Sequence, residues 1–157
     1  MSKEKGSSQN IKILATNRRA AHDYHLLEKF EAGIVLLGTE VKSARSGKIN
    51  FKDSYIQIQN NEAFLINCHI AEYSFGNRQN HDPTRVRKLL LHRKEINKIG
   101  GKTTLRGLTL IPLKAYLKNG IVKMEIALAK GKKLYDKREA EKEKSVKQDI
   151  RRMMKPS

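Results

Sequence analysis

Apolar and polar positions alternate along most of the chain, so extended segments dominate the expected structure. Ile11, Ile13 and Ala15 alternate with Lys12, Leu14 and Thr16 as a short strand, and residues 17–24 read as one or two helical turns. Residues 25–37 return to an extended pattern. It ends in Ile34-Val35-Leu36-Leu37, a uniformly apolar run of the kind found in a strand buried on both faces. Gly38-Thr39 interrupts that run. Thr39 is the expected N-cap of a short helix reaching Gly47, with Val41 and Ala44 inward and Lys42 and Arg45 forming an outward basic ridge.

Two hairpins stand out. In the first, Ile56 and Ile58 alternate with Gln57 and Gln59, Asn60-Asn61 turns the chain, and Phe64, Ile66, Cys68 and Ile70 are expected to share one face. The second joins 108–118 to 121–130 across Asn119-Gly120, with Val122, Met124, Ile126 and Leu128 facing the core. Pro112 lacks an amide hydrogen and so marks an edge or a bulge.

Between the hairpins, residues 73–81 form a polar loop and Asp82-Pro83 signals a helix start. The helix predicted there has an apolar stripe of Val86, Leu89, Leu90, Ile96 and Ile99. Arg85, Arg87, Lys88, His92 and Lys98 stand off the stripe, and Gly100-Gly101 is the expected stop. Short strands with interposed short helices, without repeats or a βαβ rhythm, predict a mainly β fold, a small antiparallel barrel.

Charge changes the picture. Of 157 residues, 33 are Lys or Arg and 16 are Asp or Glu, a formal net charge of +17. The excess is spread over residues 11–129 and 130–157 alike, unlike a polybasic lipid anchor beside an apolar segment. Such a surplus favours a polyanion, since each base placed on a phosphate releases condensed counterions. No apolar run is long enough to cross a bilayer and the N-terminus lacks a signal-peptide core, so a soluble, cytoplasmic protein without a membrane partner is expected. The organisation predicted is a disordered lead-in over 1–10, an RNA-binding barrel over 11–130, and a basic tail over 131–157. The tail has good helix propensity but only a thin stripe of Val146, Ile150, Met153 and Met154, so it is expected to be disordered when free and helical when bound.

Candidate chemistry is sparse. Gly100-Gly101-Lys102-Thr103-Thr104 lacks the first glycine of a phosphate loop and follows a helix, so it reads as a C-cap turn. Of the five histidines, only His22 and His25 could share a helical face, and no third ligand lies nearby. Cys68, the single cysteine, falls on the inward face of its strand as a small hydrophobe. Asp23, Glu28, Glu31 and Glu40 specify no paired geometry. No enzymatic activity, metal or cofactor is indicated.

Several blocks carry a further signal. Asn17-Arg18-Arg19-Ala20, Phe30-Glu31-Ala32-Gly33-Ile34, Gly38-Thr39-Glu40-Val41-Lys42-Ser43, Lys88-Leu89-Leu90-Leu91-His92, Ala129-Lys130-Gly131-Lys132-Lys133 and Asp136-Lys137-Arg138 closely resemble the SmpB family of bacterial SsrA-binding proteins. They stand in the family's order across roughly residues 11–155. The resemblance implies an OB-like β-barrel with about three short flanking helices. It also implies a role in trans-translation: binding the tRNA-like domain of transfer-messenger RNA, supporting its alanylation, and delivering it to stalled ribosomes. Elongation factor Tu and alanyl-tRNA synthetase would be engaged through the RNA.

By the same resemblance Asn17, Arg18, His22, Glu31, Leu90 and His92 match positions tied to the RNA face, with Arg19 in the same block. Lys130, Lys132, Lys133, Asp136, Lys137 and Arg138 match the junction and tail acting in the small-subunit decoding centre and the empty message channel. His92 stands where some members carry asparagine, and Tyr135 where others carry histidine. Lys42, Arg45, Arg85, Arg87 and Lys88 complete the expected RNA face from the charge pattern alone. Glu31 could accept hydrogen bonds from base amines or 2′-hydroxyls, orient Arg18, or form a surface salt bridge. Leu90 is open to core packing or to contact. A basic structural ribosomal protein bound to ribosomal RNA is the alternative from another class, and a ribonuclease a third.

Overall fold

The computed structural model describes residues 10–76 and 79–132 together with positions 138, 144, 145 and 148. The lead-in at 1–9 and nearly all of the tail therefore lie outside the described residues. The elements run β1 (Ile11–Thr16), α1 (Ala20–Asp23), β2 (Tyr24–Ile34), α2 (Gly38–Arg45), β3 (Ile49–Asn50), β4 (Tyr55–Gln59), β5 (Glu62–Ile66), β6 (His69–Ile70), β7 (Arg87–Leu90), α3 (Arg93–Arg106), β8 (Thr109–Lys118) and β9 (Ile121–Gly131).

Six strands close a ring in the order β9-β2-β7-β5-β4-β8, with β8 pairing back onto β9, all antiparallel. β1 adds to the free stretch of β8, and β3 and β6 form a separate pair. Closure removes the unpaired edges that an open sheet would expose. The interior is filled by Phe30, Ala32, Ile56, Leu65, Leu89, Leu110, Met124, Ile126 and Leu128. Ile99 of α3 joins the same core. Lys98 and Lys102 of that helix bond the Glu28 carboxylate on β2 at 2.5 and 3.0 Å.

Both predicted hairpin turns form, with positive φ at Asn60 and Asn61 and at Asn119 and Gly120, the backbone a two-residue type I′ turn demands. Pro112 sits at a bulge: Glu125 pairs with Lys114 but Ile126 with Pro112, leaving Leu113 as the extra residue. Asn17 clamps it, its side-chain amide donating to the Pro112 carbonyl at 2.8 Å and its backbone N–H to the Leu113 carbonyl at 2.7 Å. On the outer side of the bulge, Ile111 and Leu113 pack with Ala20, Ala127 and Ala129 in a second small core under α1.

Four expectations are corrected. The run Ile34-Leu37 is not a doubly buried strand, since β2 ends at Ile34 and Val35 and Leu37 are exposed. The helix after it begins at Gly38, with Leu37 rather than Thr39 at the N-cap, and Glu40 accepts the Leu37 amide at 2.7 Å. Phe64 and Ile66 do not share the inward face with Cys68 and Ile70. Ala63 and Leu65 point inward, and Asn67, at φ 64°, shifts the alternation before Cys68.

The fourth correction is the largest. Residues 83–99 are not one helix: Asp82 starts a turn, its carboxylate accepting the Thr84 amide, and 87–90 form β7. Arg87 and Leu89 point inward while Lys88 and Leu90 point outward, a period of two. The helix proper starts after His92, whose amide bonds Glu95 at 3.1 Å, and runs through Gly100-Gly101 to Gly107, which ends it in the left-handed conformation.

Arg87, expected on the RNA face, is therefore wholly buried, and so is the Glu40 carboxylate it meets. Arg87 Nε donates to Glu40 Oε2 at 2.6 Å and Arg85 Nη2 to Glu40 Oε1 at 2.5 Å. The rest of the Arg87 fork bonds the carbonyls of Cys68 at 2.6 Å and Pro83 at 3.0 Å. Burial pushes the Glu40 carboxyl upward, but the hydrogen bonds from Arg85, the Leu37 amide and Arg87 outweigh it and hold the group below the usual carboxylate range.

Arg87→Ala strips a buried charge of its partner and should lower the unfolding free energy by about 3–5 kcal/mol. Lys88→Ala, one residue away, loses only the exposed bond to Glu62 and should cost about 0–1 kcal/mol. Urea denaturation of the two variants checks the pair.

The depressed Glu40 carboxyl contributes stability that is present above its unfolded pKa, near 4.3, and is lost as pH falls through the lower folded value. Glu28 and Glu31 are lowered too and act in the same direction. The urea midpoint should accordingly fall on acidification below about pH 4, and Glu40→Gln, less stable at neutral pH, should show a shallower acid fall.

Candidate nucleic-acid interface

The barrel presents two basic areas built by different elements. One is an open cleft of about 460 Å³ between α1 and the β3–β4 connection, where Arg18, Arg19 and Lys52 outnumber Asp23 and Asp53 beside Asn17 and Ser54. Arg18 and Arg19 are exposed because the 17–19 turn must leave the sheet as soon as Asn17 has clamped the bulge. Arg19 reaches Asp23 at 3.5 Å, and His22 Nδ1 lies 2.8 Å from the same carboxylate. Lys132 bonds the carbonyls of α1 from the far end of the chain, through its amide to Asp23 at 2.9 Å and its ammonium to Ala21 at 2.9 Å.

The second area lies on the outer face of the β7-β2-β9-β8 sheet. Phe30 and Ala32 point into the core, so Glu31 and Gly33 point outward. Leu90 pairs with Gly33 and lies across it, where a side chain on Gly33 would crowd its Cβ at 3.3 Å. With 52% of its surface exposed, Leu90 lies outside the core. Glu31 does not orient Arg18. Its carboxylate accepts a short hydrogen bond from the Tyr116 hydroxyl and is bonded by Lys118 at 3.2 Å. The Tyr116 hydrogen bond first, then Lys118, holds the Glu31 carboxyl below its ordinary range, while burial and Glu31 push the Tyr116 hydroxyl up.

The remaining predicted residues are distributed unevenly. Lys42 and Arg45 are exposed on α2, with Arg45 bonding the Gly120 carbonyl at 3.1 Å. Arg85 is half-buried on Glu40, Lys88 is exposed, and His92 is exposed at the α3 N-cap. Lys130 is exposed on β9 and Arg138 is an exposed helical position. Lys133, Tyr135, Asp136 and Lys137 lie outside the described residues.

Lys52, Lys118, Lys123 and Tyr116 belong to these areas and were absent from the expected face. Lys118 and Tyr116 follow from the strand alternation once the register of β8 is known, whereas nothing in the sequence around Lys52 marks it. Cys68 is buried, and burial above all pushes its thiol up to about 12, which removes it as a nucleophile near neutral pH. Among the described residues no three His, Cys, Asp or Glu side chains are placed to hold a metal, and no helix is long and apolar enough to cross a membrane.

A small closed barrel with flanking short helices and two exposed basic areas places the chain in the class of compact β-barrel RNA-binding modules. The family model described as "SmpB protein" matches residues 14–156. The chain is 55% identical over 150 residues to the SsrA-binding protein of Shouchella clausii, covering 96% of each. It is 56% identical over 155 residues to that of Caldanaerobacter subterraneus subsp. tengcongensis, covering 99% of this chain and 96% of the relative. A chain in the solved structure called "tmRNA-SmpB: a journey to the center of the bacterial ribosome" superposes with a TM-score of 0.66 at 49% identity, over 80% of this chain and 92% of that one. The chain belongs to the SmpB protein family, and its barrel is the OB-like fold that the resemblance implied.

Asn17→Ala leaves the Pro112 carbonyl without its side-chain donor at the bulge. About 1–2 kcal/mol of stability should be lost, with the Arg18–Arg19 turn loosened. Faster amide hydrogen exchange at Asn17 and Ala20 is the expected signature, and unchanged exchange would show that the backbone bond alone holds the turn.

Proposed function

We propose that this chain is an RNA-binding protein of trans-translation, which binds the tRNA-like domain of transfer-messenger RNA, supports its alanylation and carries it to stalled ribosomes. What carries the reading is the match to SsrA-binding proteins along nearly the whole chain, joined to two exposed basic areas on one barrel. Lys118, Lys123 and Leu90 on the outer sheet would meet the tRNA-like domain, with the Glu31 carboxylate holding Lys118 and free to accept from a 2′-hydroxyl. Alanyl-tRNA synthetase and elongation factor Tu would then act on an RNA whose fold the barrel supports, without touching the protein.

Arg18, Arg19 and Lys52 in the cleft, with His22 on the adjoining α1, would face ribosomal RNA together with Lys130, Lys132 and the tail. The docking of Lys132 on α1 supports this division, because it fixes residue 132 beside the cleft. On this reading the barrel over 11–130 is the RNA-binding unit. The tail over 131–157, with Lys133, Tyr135, Asp136, Lys137 and Arg138 at its start, acts in the decoding centre and the empty message channel.

Electrostatic binding makes a quantitative demand. If about five phosphates are neutralised, log affinity for the tRNA-like domain should fall with log salt at a slope of roughly −3.5 to −4.5. A slope near zero would remove the basic surface from the mechanism.

Truncation after Tyr135 should leave folding and most of that affinity intact while abolishing tagging of a stalled nascent chain. Normal tagging by the truncated protein would take the tail out of the mechanism. Co-purification of stoichiometric ribosomal subunits without transfer-messenger RNA would favour a structural ribosomal protein instead.

A further inference from the structure

The loop between β6 and β7 holds an aromatic pair that no part of the proposed function uses. Phe75 is the most exposed large hydrophobic side chain among the described residues, at 77%. A single exposed apolar residue is ordinary and carries nothing alone. Three further features set this one apart. Phe75 stands at the third position of a turn closed by the Gly76 amide on the Tyr73 carbonyl at 2.9 Å, so its backbone is held. The neck of the loop is clamped by Asn80, which accepts the Tyr73 amide at 2.9 Å and donates to the Tyr73 carbonyl at 2.6 Å. Packing there is tight: a Cβ on Gly76 would fall 2.5 Å from the Asn80 amide nitrogen.

The third feature is chemical. The Phe75 ring meets Tyr73 edge-on, with centroids 5.6 Å apart and planes at 69°, which fixes its orientation without covering both of its faces. The Lys42 ammonium lies 5.2 Å from the Tyr73 ring centroid, so a cation stands against the ring that braces Phe75. An open ring braced by a second ring that carries a cation is an arrangement that takes a nucleic-acid base on the open ring and the neighbouring phosphate on the cation. An apolar protein partner would have no use for the ammonium.

From this geometry we infer that Phe75, braced by Tyr73, whose ring carries the Lys42 ammonium, is a stacking platform for one unpaired base of the bound RNA. The inference rests on the RNA-binding reading above and deepens it by naming a contact outside both basic areas.

The chain contains no tryptophan, so Phe75→Trp introduces a unique fluorophore at the platform. The probe is a transcribed tRNA-like domain of transfer-messenger RNA, titrated against wild type and against Phe75→Ala, Phe75→Leu and Phe75→Trp. Exposure of Phe75 means that all three should keep the wild-type circular dichroism spectrum. Phe75→Ala and Phe75→Leu should each weaken binding by roughly fivefold or more with the salt slope unchanged. Phe75→Trp should bind as wild type with its fluorescence quenched by the RNA.

Wild-type affinity in both Phe75→Ala and Phe75→Leu, with an unquenched Phe75→Trp, would overturn the platform while leaving the RNA-binding reading intact. Retained affinity in Phe75→Leu alone would reduce the site to a general apolar contact and also overturn it. Failure of the wild-type protein to bind the probe would sink the underlying reading instead.

Discussion

The fold turns on one buried ion cluster. Glu40, on a helix of only eight residues, receives Arg85 and Arg87 from the strand side, and Arg87 reaches on to carbonyls at Cys68 and Pro83. Three segments far apart in sequence are thereby held at one point: α2, the end of the first hairpin and the entry to β7. The neighbouring His81 extends the tie. Its Nε2 donates to the Ile70 carbonyl at 2.8 Å, which leaves Nδ1 to accept from the Thr39 hydroxyl at 2.9 Å. A buried pair repays its desolvation only when its remaining hydrogen-bonding groups are satisfied, and here carbonyls and an amide satisfy them. An apolar substitute of the same volume could fill the space, but it would not fix where β7 enters the ring.

That entry point matters because β7 is short and closes the barrel. It pairs with β2 at only two registered positions and with β5 at three, too few to specify its register by ladder bonds alone. A slip by one residue would bury Lys88 and Leu90 and expel Arg87 and Leu89. The ion cluster forbids this, since Arg87 has one place where its whole fork is met. Through β7 the same cluster sets Leu90 outward over Gly33, beside Glu31. The outer-sheet area is thus positioned by a buried acid on a different element.

The strands were legible in the sequence wherever side-chain alternation and asparagine turns agreed, as in β8 and β9, where the turn at Asn119-Gly120 forms as expected. β7 was not. Val86, Leu89 and Leu90 fit a helical stripe as well as a strand, and an inward arginine reads as an outward one until its acidic partner is located 47 residues away. Gly100-Gly101 reads as a stop on local propensity, yet α3 runs through both while Ile99 packs in the core and lysines 98 and 102 bond Glu28. The phase change at Asn67 is a positive φ that alternation cannot announce. Of the site, the exposed Arg18 and Arg19 were legible from charge and resemblance, whereas Lys52 becomes a neighbour of theirs only through the tertiary fold.

The distribution of acids explains how a chain this basic folds and still offers charge to a partner. Glu40 is buried between two arginines, Glu28 ties α3 to β2, Glu62 meets Lys88, and Asp23 meets Arg19. Each acid neutralises a base where an element must be held. Arg18 and Lys52, by contrast, have no acidic partner within ion-pair distance among the described residues, and both line the cleft. Both remain available to an approaching phosphate, in a cleft where Arg19 is already tied to Asp23. Glu31 joins the two sets. Its charge is already engaged by Tyr116 and Lys118, so it presents little net repulsion to phosphate while holding the Lys118 ammonium in place. A carboxylate on a basic surface is then a means of aiming a cation, and its removal would loosen Lys118 as well as delete an acceptor.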